Sequence, residues 1–83
     1  MSFWNILFTK NGQNISVQAK SDEMFAEVAL KFITKAGITG DDKVKFLYNN
    51  QELIIDSPKT LAELNFRDGT RIDVVMTNTV IGA

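Results

Sequence analysis

Trp4-Asn5-Ile6-Leu7-Phe8-Thr9-Lys10-Asn11-Gly12-Gln13-Asn14-Ile15-Ser16-Val17-Gln18-Ala19 is the stretch that decides the fold. Two runs rich in apolar residues flank Asn11-Gly12, a dipeptide suited to a two-residue hairpin turn because both positions tolerate positive φ. If those two residues are the whole turn, Phe8 lies opposite Ile15, Ile6 opposite Val17 and Trp4 opposite Ala19. All six then share one face, because strand side chains alternate with a period of two. The first 19 residues are therefore expected to form a hairpin with one apolar side, anchored at its open end by Trp4.

A helix is expected next. Ser21, Asp22 and Glu23 offer a side-chain oxygen for orphan amides and negative charge at the positive end of the dipole. Met24, Phe25, Val28, Ala29, Phe32, Ile33 and Ala36 then recur at helical spacing, with Glu27, Lys31 and Lys35 on the opposite side. Leu30 falls outside the apolar stripe. Gly37 suits the left-handed closing position, with Ile38 folding back against the last turn. The spacing predicts a helix over residues 22–36, lying on the apolar face of the hairpin.

Val44, Phe46 and Tyr48 alternate with Lys45 and Leu47, a strand pattern in which one outward residue is apolar. Asn49-Asn50-Gln51 is read as a turn into a short strand, Glu52 to Ile55. Asp56-Ser57-Pro58-Lys59 reads as a loop, with Pro58 constraining it. Thr60-Leu61-Ala62-Glu63 has the spacing of a capping box and is expected to open one short helical turn. Arg67-Asp68-Gly69-Thr70 turns the chain into a last strand, with Ile72, Val74 and Met76 facing inward and Asp73, Val75 and Thr77 outward. Asn78 to Ala83 has no periodicity. This gives one domain over residues 1–77 and a mobile tail over 78–83. Its expected core is Ile6, Phe8, Ile15, Val17, Val28, Phe32, Phe46, Leu53, Leu61, Ile72 and Val74.

Composition removes several function classes. Eighty-three residues make one domain, enough for a single layer of helix on one sheet. There is no Cys and no His, so disulfides, thiolate metal sites and the commonest proton-transfer side chain are all absent. No catalytic residue, cofactor or metal site is expected. Asp41-Asp42 lacks a third ligand or a partner base and reads as solvated charge. Nine basic and ten acidic residues are scattered along the chain. No basic stripe invites nucleic acid, and no apolar span approaches the roughly 20 residues a bilayer needs.

The order hairpin, helix, strand, short strand, helical turn, strand resembles the ubiquitin-like β-grasp fold over residues 3–76. The most specific likeness lies in Phe46-Leu47-Tyr48-Asn49-Asn50-Gln51-Glu52-Leu53. A second block joins Thr60-Leu61-Ala62-Glu63-Leu64-Asn65-Phe66 to Ile72-Asp73-Val74-Val75. The resemblance implies an α+β fold, a mixed sheet of four to five strands in the order 2-1-5-3-4 packed on one helix. It also implies that Leu47 and Val75 stand side by side on the outer face, where ubiquitin presents the apolar patch its receptors bind. The chain departs from ubiquitin in three places. The first hairpin is shorter, so the turn leucine of that patch has no counterpart. Gln51 and Asp68 occupy the two best-known linkage positions. The end reads Val80-Ile81-Gly82-Ala83 and lacks the double glycine, although a lone glycine before a removable residue is similar to the ends of some ubiquitin-fold modifiers.

Three function classes follow. The leading one is a noncatalytic protein-recognition domain, a monomer of cytoplasm or nucleus, docking partners of the ubiquitin-receptor or conjugation-pathway type through Leu47 and Val75 flanked by Lys45 and Asp73. The alternative is a modifier precursor conjugated through Gly82 once Ala83 is removed. An enzyme would need an activated nucleophile, which serines without His or Cys do not readily supply. The helix face around Leu30 is the next candidate surface.

Overall fold

The computed structural model describes residues 3–38 and 44–76. The expected tail, the domain boundary at residue 77, Gly82 and the Asp41-Asp42 pair lie outside the described residues.

Strand β1 (Trp4–Lys10) and strand β2 (Gln13–Ala19) form the antiparallel hairpin in the expected register, Trp4 with Ala19, Ile6 with Val17 and Phe8 with Ile15. Asn11 and Gly12 have φ of 51° and 80°. Both central residues are thus left-handed, the turn whose twist matches that of the strands it joins.

Helix α1 spans Phe25–Ala36 and begins three residues later than the periodicity predicts. The Ser21-Asp22-Glu23 signal is overridden by tertiary bonds. The Ser21 carbonyl accepts the Ala62 N–H and the Glu23 carbonyl accepts the Leu61 N–H, each at 3.0 Å. The Glu23 carboxylate accepts the Lys20 N–H at 2.9 Å. These bonds keep the segment out of the helix, and Met24 is extended at φ −75° and ψ 147°, bridged to Thr60. The first helical amides find carbonyls in a distant loop: Phe25 N–H donates to Lys59 at 2.8 Å and Ala26 N–H to Ser57 at 3.2 Å. That loop replaces the expected side-chain cap for these two orphan donors. At the other end Gly37, at φ 72°, closes the helix as expected, and Ile38 N–H reaches the Ile33 carbonyl at 3.1 Å.

Strands β3 (Val44–Tyr48), β4 (Gln51–Leu53) and β5 (Arg71–Met76) complete a five-stranded sheet in the order β2-β1-β5-β3-β4. The β1–β5 pair is parallel and the other three pairs are antiparallel. β4 differs from its reading: it starts at Gln51 and ends at Leu53, not Ile55. The turn is Asn49-Asn50 alone, with φ of 52° and 65°. Ser57 N–H bonds back to the Ile54 carbonyl at 3.0 Å, and the chain leaves the sheet toward the helix N-terminus. Thr60 and Glu63 form the expected capping box: Thr60 N–H donates to the Glu63 carboxylate at 2.8 Å, and Glu63 N–H to the Thr60 hydroxyl at 3.1 Å. The segment stays one bonded turn, ended by Asn65 at φ 62° with Phe66 N–H on the Leu61 carbonyl at 3.0 Å. Leu61 and Phe66 are thereby set into the core.

The core between helix and sheet is wholly apolar among the described residues, with no buried polar side chain. Phe46 is its hub, edge-on to Phe8, Phe25 and Phe32 at 5.7, 5.6 and 5.9 Å, while Phe8 and Phe32 stack at 4.4 Å. Burying each ring stabilises the fold by about 1.5–3 kcal/mol before its aromatic contacts are counted. Ile15 and Leu53 are partly buried, short of the full burial expected, because they lie on the two edge strands, each of which has a neighbouring strand on one side only among the described residues. Phe25, Ala29, Ala19 and Phe66 join the core alongside the expected set.

Candidate functional site

Pleating sends Lys45 and Leu47 of β3 and Asp73 and Val75 of β5 away from the helix. Their strands are adjacent, and the antiparallel register pairs Leu47 with Asp73 and Lys45 with Val75. The four form a quartet, apolar across one diagonal and oppositely charged across the other. Direct partners stand about 5 Å apart at Cβ and diagonal ones about 7–8 Å, within reach of a single docking side chain. Val75 is 40% exposed, Lys45 and Asp73 are exposed, and Leu47 is half-buried.

Glu52 is a neighbour that the sequence alone does not reveal. With Asn49-Asn50 as the full turn, Glu52 pairs directly with Leu47. Counting Gln51 as part of the turn hides this register. Leu47 is therefore flanked on both sides by carboxylates, in a row that crosses all five strands: Asn14, Thr9, Asp73, Leu47, Glu52.

The other half of the same face is different in kind. Thr9 donates its hydroxyl to the Asn14 side-chain oxygen at 2.7 Å, and Ser16 contacts that of Asn5 at 3.5 Å. Polar groups on β1 and β2 thus engage one another around a single apolar residue, the partly buried Leu7 between Ser16 and Arg71, while the β5–β3–β4 half sets two apolar residues among charges. Asp68 is committed to the frame, its carboxylate accepting the Asn5 N–H at 2.7 Å.

Two carboxylates away from this face titrate low. Partial burial alone would raise Glu23, but the Lys31 ammonium at 2.7 Å, the Lys20 amide and the charges of both lysines outweigh it and hold its pKa below the usual 4.5. Glu63 is held below that value by the Thr60 amide and hydroxyl. Both carboxylates serve the frame. Among the described residues no group of three or more acidic, His or Cys side chains gathers as a metal site, and no helix is long and apolar enough to cross a membrane. Leu30 stands 63% exposed on the helix, beside Glu27, Lys31, Thr34 and Lys35.

One helix cradled by a mixed sheet in this strand order, with an apolar and charged outer face, defines a β-grasp domain of the ubiquitin-like class. Residues 6–76 match the ubiquitin-2 like Rad60 SUMO-like family, and the chain belongs to it. Among solved structures it is similar to the ubiquitin of Caldiarchaeum subterraneum. The TM-score is 0.75 at 15% identity, over 99% of this chain and 100% of that one. It is also similar to ATBAG1 in the crystal structure of its complex with HSP70, with a TM-score of 0.74 at 14% identity over 88% of this chain. The match spans 40% of the ATBAG1 chain. A search of curated protein sequences found no match.

Proposed function

We propose that this domain recognises other proteins, without catalysis, through the outer face of β3, β4 and β5, with Leu47 and Val75 as apolar contacts and Lys45, Asp73 and Glu52 as charged surroundings. The observation that carries the reading is the cross-strand quartet, two apolar corners and two of opposite charge on adjacent strands. Membership of a ubiquitin-like family supports a protein partner. The same fold in ATBAG1, crystallised with HSP70, is in keeping with that. The carboxylates beside Leu47 favour a partner that presents an apolar anchor between Lys or Arg residues, since unlike charges at a rim set register and on-rate. The domain acts as a monomer, in cytoplasm or nucleus.

The test is a double substitution, Leu47→Lys with Val75→Glu. Each new charge faces an unlike one across the strands, the introduced ammonium opposite Asp73 and the introduced carboxylate opposite Lys45. Stability should therefore fall by no more than about 1 kcal/mol, most of it from the half-buried Leu47. Capture of partners should be lost. Undiminished capture moves the interface, with the helix face at Leu30 next in line. The modifier alternative rests on Gly82 and has its own experiment: a chain ending at Gly82, expressed in cells of its source, forms higher-mass adducts that Gly82→Ala abolishes.

A further inference from the structure

Among the described residues the sheet order leaves two edges, β2 and β4, each with a neighbouring strand on one side only. Such an edge offers unpaired N–H and C=O groups to any other strand, and folded proteins blunt it by shortness, charge or cover. β4 is blunted by its length of three residues. β2 has seven, Gln13 to Ala19, with no charge, no Pro and no Gly among them. Low charge, β-branched residues and the absence of Pro are the signature of a strand that pairs with copies of itself.

The helix supplies what β2 lacks. Lys31 Nζ donates to the Gln18 carbonyl at 3.3 Å, and Lys35 Nζ donates to the Ser16 carbonyl. In a strand the N–H and C=O of one residue point the same way, so Ser16 and Gln18 present both groups to the open side. The spacings agree: four helical residues rise about 6 Å and two strand residues about 6.6 Å. Lys31 is further held by the Glu23 carboxylate at 2.7 Å.

We propose that Lys31 and Lys35 form a latch on the β2 edge, and that releasing both lets β2 pair antiparallel with β2 of a second copy. The latch occupies two successive outward carbonyls and sets positive charge where an incoming strand would lie. A second copy is the occupant because antiparallel pairing about Ser16 is self-complementary and closes as a twofold contact. Bringing two latched copies together would also juxtapose the ammonium groups of both latches.

The test compares the wild-type chain with Lys31→Met/Lys35→Met, which keeps the stems and removes the donors and charges. Sedimentation should show a monomer for wild type and a dimer for the variant. Amide exchange in the variant should slow about tenfold or more at Ser16 and Gln18. Lys31→Arg/Lys35→Arg, which keeps donors and charge, should stay monomeric. A folded Met variant that remains monomeric overturns the latch. So does a dimer in which the Ser16 and Gln18 amides still exchange freely, or dimerisation of the Arg variant. Should the double Met variant unfold, Lys35→Met alone gives the same readout, with a partial shift expected because Lys31 keeps its place through Glu23.

Discussion

The two hairpins share a turn and little else. Asn11-Gly12 and Asn49-Asn50 both place two consecutive residues at positive φ, yet the first turn joins strands with seven paired positions and the second joins strands with three. A turn of this kind fixes register without fixing extent. In the first hairpin no long-range bond among the described residues draws the strands apart, and pairing runs as far as the alternation does. In the second, the carbonyls of Ser57 and Lys59 are drawn to the amides of Ala26 and Phe25, and the chain leaves the sheet after Leu53. Ile54 and Ile55, strand-like by composition, are left 67% and 42% exposed. The helix start and the end of β4 are two consequences of one set of long-range bonds.

If the short hairpin were an appendage, its core side chain would be dispensable. Phe46 contacts three other rings, and Phe46→Ala should cost about 3–5 kcal/mol, as should Phe32→Ala from the helix side. Urea melts of both variants check this, and a loss below about 1 kcal/mol for Phe46 would show the second hairpin to be peripheral. The first hairpin should break at its turn: Gly12→Val forces a β-branched residue to φ 80°, at a cost of about 1–2 kcal/mol read from the same melts.

Thr60→Ala should cost about 1 kcal/mol by removing one arm of the capping box that carries the chain away from β4. The same region should be the acid-sensitive part of the molecule. Glu23 and Glu63 have folded pKa values below 4.5, so the stability they contribute is full above that pH and is lost as pH falls through their folded values. Glu23→Gln with Glu63→Gln should flatten the acid limb of a stability-versus-pH curve. The smallest effect is expected at Asn50, held at φ 65° without the freedom of the glycine in the first turn. Asn50→Gly should be neutral or raise stability by less than about 1 kcal/mol, making the two turns alike in composition without lengthening β4.

Legibility followed the range of the interactions. The first register, the helix stripe from Phe25 onward though not its expected first member Met24, the exposure of Leu30, the Gly37 closure and the Thr60–Glu63 capping box are local patterns and can be read from neighbours in the chain. The helix start cannot, because Ser21 and Glu23 give their carbonyls to the amides of Ala62 and Leu61, far along the sequence. Glu52 is hidden for a smaller reason. Two positive-φ asparagines suffice for a turn that reads equally well as Asn49-Asn50-Gln51, and one residue of register decides whether Leu47 has a carboxylate at its side. At the site itself, the outward placement of Lys45, Leu47, Asp73 and Val75 is legible from alternation, whereas the adjacency of β3 and β5 comes only through the family resemblance.

We propose that the charged and apolar half of the outer sheet, not the helix face, meets the partner. The most direct measurement is amide chemical-shift mapping of the labelled domain titrated with a protein recovered on wild-type domain and lost with Leu47→Lys/Val75→Glu. Shifts and broadening should cluster at Lys45, Leu47, Glu52, Asp73 and Val75, with Glu27, Leu30 and Thr34 unmoved. Changes gathered about Leu30 with the β3–β5 quartet silent would contradict the account.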